Sequence, residues 1–197
     1  MKIIYIILLI VASLLLLSQI YVVMASRKTN HQPYQVVRKE KDFEIRFYPS
    51  VTIATVKSNS KSFDELGNRG FRQLAGYIFG GNGTGEKIAM TAPVVMDIQD
   101  SVSSMSFIMP EGYSLDKLPM PKDPGISLVN TADEYVAAIS FGGFASDEDI
   151  EKQILKLKTL LDQQNISYHG SFRYLGYNPP YQLVDRKNEI VVTVDWK

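Results

Sequence analysis

The sequence predicts an α+β fold. Duplicated β-α-β-β units form a twisted, barrel-like antiparallel sheet flanked by two helices, with a transmembrane helix at the N-terminus. Three observations predict it. Two helix starts, Ser62 and Ser146, lie 84 positions apart. Each follows a strand rich in Val, Ile or Ala and precedes a strand, a proline-marked turn and another strand, so one unit reads as copied. Residues 3–25 are a separate signal, 23 positions without a charge. Two such units can join into one sheet with both helices on it, and the groove between a curved sheet and its helices is a common place for a ligand. The chain divides into an anchor or signal segment (1–26), a polar linker (27–33) and one folded domain (34–197).

In residues 3–25 only Ser13, Ser18 and Gln19 are strongly polar. At about 1.5 Å per residue, such a helix crosses a hydrocarbon core of roughly 30 Å. It has no polar face, which argues against a buried core helix. A cleaved signal peptide would use Val23-Met24-Ala25 as its small-residue site. An uncleaved anchor fits better, because the run is longer than a signal core and Arg27-Lys28 sit awkwardly after a cleavage point. Lys2 competes with Arg27 and Lys28 in setting orientation. The expected location is a single-pass membrane protein with its soluble domain outside the cytoplasm. If the segment is removed, the protein is secreted or periplasmic.

The domain elements follow in order. Phe43, Ile45 and Phe47 alternate with Glu44, Arg46 and Tyr48, as in a half-buried strand. Pro49-Ser50 turns the chain, and β-branched residues 51–56 read as the returning strand. Ser62-Phe63-Asp64-Glu65 has the form of a capping box. Phe63, Leu66, Gly70, Leu74, Tyr77 and Ile78 make the apolar stripe of that helix, and Gly80-Gly81-Asn82-Gly83 ends it. Residues 87–98, interrupted at Pro93, and 105–109 read as strands. The proline-rich stretch 118–124 is a crossover between the halves. Residues 134–141 form the next strand. Acids at 147–149 open a second helix where its dipole favours them, with Ile150, Ile154, Leu157 and Leu161 at helical spacing. Strands at 170–177 and 190–196 finish the chain.

Composition narrows the chemistry. There is no cysteine, so disulfides, zinc fingers, iron–sulfur clusters and thiol nucleophiles are excluded. Two histidines, His31 and His169, cannot build a His-rich metal site. Lys plus Arg and Asp plus Glu are both 21, and all the acids lie beyond residue 30. Without Lys2, Arg27 and Lys28 the remainder carries −3. A mildly acidic body argues against a nucleic-acid partner. No G-x-S-x-G motif accompanies His169, which reads as an exposed loop residue. Residues 80–87 have the glycine density of a phosphate loop, but Ile88 follows Lys87 and the stretch follows a helix instead of preceding one. No catalytic or metal-ligating set is expected. Met90-Thr91-Ala92-Pro93-Val94 is either a structural kink or a groove wall with the Met90 sulfur facing a flat apolar ligand.

These residues also carry a resemblance. The chain resembles the SOUL haem-binding protein family through Phe43-Glu44-Ile45-Arg46 with Tyr48, Tyr77-Ile78 with Gly80-Gly81-Asn82, and Ile88-Ala89-Met90-Thr91-Ala92-Pro93-Val94. It continues through Phe107-Ile108-Met109-Pro110, Phe141-Gly142-Gly143-Phe144, Gly176-Tyr177-Asn178-Pro179-Pro180 and Arg186-Lys187-Asn188-Glu189. The resemblance covers roughly residues 34–196 and is similar in kind to the small-molecule sensor domains of bacterial regulators. It implies binding of haem or another tetrapyrrole in an apolar groove beside the first domain helix, residues 66–77. Leu66, Gly70, Gln73 and Tyr77 are the implied contacts there, with Met90 and with Tyr177, Asn178 and Pro179 from the later loop. Arg69 and Arg72 are the implied partners of the propionates, since guanidinium pairs well with carboxylate. Gly67, Gly70 and Gly76 cost a helix about 1 kcal/mol each relative to Ala; a flat ligand or tight packing would explain them. Some members place an iron-ligating histidine where this chain has Phe47. Met90, Tyr77 and Tyr177 remain as candidate iron neighbours. The expected partners are a tetrapyrrole and, through residues 3–25, a membrane. The alternative is a binding domain for other amphipathic small molecules.

Overall fold

The computed structural model describes residues 2–99 and 102–196. Helix α1 (Lys2–Arg27) comes first, then β1 (Gln35–Lys39), β2 (Glu44–Tyr48) and β3 (Thr52–Ser58). Helix α2 (Phe63–Ile78) leads to β4 (Val94–Asp97), β5 (Ser103–Ile108), β6 (Ile126–Asn130) and β7 (Glu134–Gly142). Helix α3 (Asp147–Gln163), β8 (Tyr168–Gly176) and β9 (Lys187–Val194) complete the chain. The strands form one nine-stranded antiparallel sheet in the order β1-β2-β7-β9-β8-β4-β5-β3-β6. From β7 to β3 the order is a mirror image about the β8–β4 pair: first, third and second strand of the later unit, then second, third and first of the earlier one.

Both helices lie on one face of the sheet, α2 against β3, β4 and β5, and α3 against β7, β8 and β9. Their starts touch, because the Phe63 N–H donates to the Asp147 carboxylate at 3.1 Å. Ser62 caps α2 by accepting the Glu65 N–H at 3.2 Å. Ser146 caps α3 with the full reciprocal box, the Asp149 carboxylate accepting the Ser146 N–H in return. Under α2, Leu66, Leu74, Tyr77 and Ile78 pack on Ala54, Val56, Met105 and Phe107. Under α3, Ile150, Leu157 and Leu161 pack on Ile45, Ile139, Ile190 and Val192. Each such aliphatic side chain contributes about 1.5–3 kcal/mol by leaving water.

Four expectations are corrected. The sheet is open, not barrel-like: β1 and β6 are its unpaired edges, and β1 (QVVRK) is exposed along its whole length and charged at its end, as suits an edge. Residues 49–50 do not form a hairpin. β2 pairs with β1 and β7, while β3 pairs with β5 and β6. Ser50 instead donates to Asp133 and to the Thr131 carbonyl, stitching the two halves together. Of residues 87–98 only Val94–Asp97 is strand. The stretch before it is an irregular clamp, with a cis Ala92–Pro93 bond and the Thr91 hydroxyl donated to the Ile108 carbonyl. Finally, the space between α2 and the sheet is not a groove, because Leu66, Leu74 and Tyr77 fill it.

Candidate functional site

Helix α2 has two different sides. Its inner side is core, and Gly70 belongs to it: a Cβ there would lie 3.2 Å from Met105 and 3.4 Å from Val56. Close packing on the sheet therefore explains Gly70. The outer side carries Arg69, Arg72, Gly76 and Phe79, spaced three, four and three apart, which is one helical stripe. Arg69 makes no ion pair or hydrogen bond among the described residues. Among the described residues Arg72 donates only to the Asn68 carbonyl, at 3.1 Å. Successive residues on such a stripe have Cβ atoms about 5–6 Å apart. Nothing lies within 4 Å of a Cβ built on Gly76, and Phe79 is 62% exposed. Among the described residues neither guanidinium has an ion pair, and the two lead onto the open Gly76 and the exposed Phe79. That arrangement can hold a planar molecule bearing carboxylates.

Other residues support this helix. Gln73 is half-buried and donates to Asp123 at 2.8 Å. The buried Tyr77 hydroxyl donates to the Pro119 carbonyl at 3.0 Å, which fixes the proline-rich crossover to the helix end. Burial raises the Tyr77 pKa. Met90 is half-buried against the α2 core. Asn82, fully buried, donates to the Tyr77 and Glu86 carbonyls and so braces the glycine loop after the helix.

The opposite face of the sheet holds a second constellation, one that alternation misread as a solvent face. Arg46 is 3% exposed and Glu189 fully buried. Arg46 donates twice to Glu189, both at 2.9 Å, and once to Glu44. Glu189 also accepts from Ser140 at 2.8 Å and from the Tyr177 hydroxyl at 2.6 Å, with Lys187 at 3.1 Å. Burial alone would raise the Glu189 pKa. The Arg46 hydrogen bonds and charge outweigh it and hold that carboxyl down at about 2. Burial works against the Arg46 charge, but Glu189 holds its pKa above the ordinary arginine value. Tyr48 is pushed up to about 12 by burial, and Tyr177 is raised by burial and then by the Glu189 charge. Every lone pair of Glu189 is used, which makes this a structural network. Removing one partner from such a buried pair costs about 3–5 kcal/mol.

The residues predicted from the sequence therefore divide. Leu66, Arg69, Gly70, Arg72, Gln73 and Tyr77 come together on α2, with Met90 beside its core. Tyr177 packs on the other face of the sheet with Tyr48, Leu175 and Val191. Asn178 accepts the Lys187 N–H at 2.6 Å, and the Pro179 carbonyl accepts from Arg186. Phe47 is half-buried and meets the Tyr135 ring at 5.2 Å. His31 rests on the Tyr177 ring at 5.6 Å; burial first, then Lys187, lower its pKa. His169 is exposed on β8, 3.3 Å from Asp195.

The fold is an open α+β domain, and its candidate site is the arginine-bearing outer face of α2. The chain belongs to the SOUL heme-binding protein family, whose family model matches residues 29–193. It is 30% identical over 156 residues to heme-binding protein 2 of Mus musculus, covering 75% of this chain and 76% of that protein. It is 25% identical over 169 residues to heme-binding protein 1 of Sus scrofa, covering 80% and 89%. Among solved structures, the EcmrR C-terminal domain has a TM-score of 0.59 at 9% identity, covering 83% of this chain and 99% of that one. A hydrolase from Listeria innocua has a TM-score of 0.56 at 8% identity, covering 81% and 94%. These last two likenesses are of fold alone.

Proposed function

We propose that this protein is a membrane-tethered binder of haem or another tetrapyrrole, without catalysis of its own, and that the ligand lies along the outer face of α2. The observation that carries the reading is the stripe of Arg69, Arg72, Gly76 and Phe79. Arg69 and Arg72 take the propionates, and the macrocycle covers Gly76 and reaches Phe79. Leu66, Gly70, Gln73 and Tyr77 hold the helix in position from behind, and Met90 flanks it. Tyr177, Asn178 and Pro179 shape the far face of the sheet. Membership in a family named for heme binding supports the ligand class. With Phe47 in place of a histidine, apolar contact and arginine–carboxylate pairs supply the hold. The two β-α-β-β units are copies of one ancestral unit, a reading supported by the mirrored strand order and by the contact between equivalent positions 63 and 147. Residues 1–26 are the anchor, 27–33 the linker and 34–197 the binding domain, which lies outside the cytoplasm.

Haem titration of the full chain in detergent, against a detergent-only blank, should give a saturable Soret shift. No saturable shift at micromolar haem overturns the reading. Arg69→Ala with Arg72→Ala should weaken binding about tenfold; unchanged affinity rejects the placement. A second reading, another anionic amphipath on the same stripe, is favoured by the absence of a histidine at Phe47. A native mass spectrum with a co-purified non-porphyrin ligand would select it.

A further inference from the structure

Helix α1 does not leave the domain at its last residue. Gln19, Val22, Val23 and Ser26 are half-buried, and their spacing puts them on one helical face. That face meets the loop before β9. The Gln19 side chain accepts the Leu183 N–H at 2.8 Å and donates to the Tyr181 carbonyl at 3.2 Å. The Ser26 hydroxyl donates to Gln182 at 2.6 Å, and Arg27 pairs with Asp185 at 2.8 Å.

The loop itself is tied from the inside. Gln182 turns inward, almost fully buried, and donates to the Val184 and Asp185 carbonyls. Arg186 donates to the Pro179 and Gln182 carbonyls. Apart from Asp185, which pairs with Arg27, the large side chains the loop turns outward are apolar: Tyr181, Leu183 and Val184 are 65%, 59% and 55% exposed. Polar groups of the loop turned inward and large apolar side chains turned outward suit a non-aqueous surroundings.

Helix length says what those surroundings are. From Ile3 to Ser18, the part of the apolar run clear of the loop, α1 rises only about 24 Å, counting 1.5 Å per residue. A hydrocarbon core is roughly 30 Å thick. Lys2 bounds the run on the far side, so the shortfall falls on the turn that holds Gln19 and Val22. Tilting the helix shortens its projection and deepens the shortfall. The linker offers no slack to lift the domain away. The Asn30 carbonyl accepts the Ala92 N–H and the Gln32 N–H donates to the Ala92 carbonyl, both at 2.9 Å, and the Tyr34 ring covers the Arg46 guanidinium at 4.3 Å.

We propose that residues 181–184 insert into the lipid bilayer beside α1, so that the domain is seated in the membrane surface instead of hanging from it. The proposal rests on the anchor reading of α1. Tyr181 sits where an amphipathic ring favours the interface. Arg27 and Lys28 lie at headgroup level, where they favour anionic lipid.

The chain has no cysteine, so single labelling sites need no background removal. Leu8→Cys, Leu183→Cys and Lys152→Cys, each carrying an environment-sensitive fluorophore, are compared in the full chain reconstituted into phosphatidylcholine–phosphatidylglycerol vesicles. Iodide in the aqueous phase should quench positions 8 and 183 several-fold less than position 152, and spin-labelled lipid should quench 183. Protection at 8 with full iodide quenching at 183 overturns the seating and leaves the anchor standing. Quenching at 8 as well overturns both. Tyr181→Cys reads the same loop should the Leu183 variant misfold.

Discussion

α2 and α3 occupy matching places on the sheet and differ most on their outer sides. Both start at a serine cap, both bury a stripe on the same face of the sheet, and their first turns touch. The outside of α3 carries Glu148, Glu151, Lys152, Lys156 and Asp162, both signs interspersed around one exposed Leu155 and with no glycine, as suits a largely solvated helix. The outside of α2 carries Asp64 and Glu65 in its first turn, then two arginines with no ion pair among the described residues, a glycine with open space over it and, at its C-cap, an exposed phenylalanine. The inner sides perform the same packing task, so packing cannot be the reason for the difference. It lies instead in what each outer face offers its surroundings, and the proposed ligand site is placed on the face of α2 for that reason.

The largest test is of the sameness. Leu74 and Leu157 are both fully buried. Leu74→Ala and Leu157→Ala should each cost about 2–5 kcal/mol in urea unfolding. A loss below about 1 kcal/mol at either site would mean that the helices are not equivalent supports. The caps sharpen the comparison at smaller scale. Ser146→Ala removes a reciprocal box and should cost about 1–2 kcal/mol, whereas Ser62→Ala removes one bond and should cost about 0.5–1 kcal/mol. Acid should narrow that gap. The Ser146 hydroxyl, then its N–H, hold the Asp149 pKa below the ordinary aspartate value. Its stabilisation is therefore complete above that ordinary value and is lost as pH falls through the lowered one. Melts of both variants at neutral pH and at about pH 2 would show it, and a gap that widened in acid would contradict the box.

Both helices were legible because caps and 3.6-residue spacing are local. The two edge strands were not. β1 is exposed along its whole length and β6 has one buried residue, so neither shows the alternation that marks a half-buried strand. The pairing partners of β2 and β3 were hidden for a different reason, since Pro49-Ser50 looks like any hairpin turn until the bonds to residues 131 and 133 are seen. The buried ion pair was least legible of all. Arg46 and Glu189 are 143 positions apart; Arg46 alone reads as a solvent-facing charge on an alternating strand, and Glu189 falls just before the expected last strand. Within the candidate site, the resemblance points to Arg69 and Arg72, but the surroundings of each glycine are not written in the sequence. What stands over a glycine is decided by elements far away in the chain.

Gly76 therefore offers the smallest and sharpest test. Nothing in the packing requires a glycine there, and α2 pays for it in helix propensity. Gly76→Ala should raise stability by up to about 1 kcal/mol, since the added methyl points into open space. Gly70→Ala should not, because the same methyl would press on Met105 and Val56. On the ligand side the order reverses. The Gly76→Ala methyl stands between the helix and a planar macrocycle, so haem affinity should fall several-fold while Gly70→Ala leaves it nearly unchanged in whatever fraction stays folded. Paired melts and haem titrations of the two variants separate the effects. Should Gly76→Ala stabilise the protein and bind haem as the parent does, the outer face of α2 is not where the ligand lies, and its contrast with α3 needs another cause.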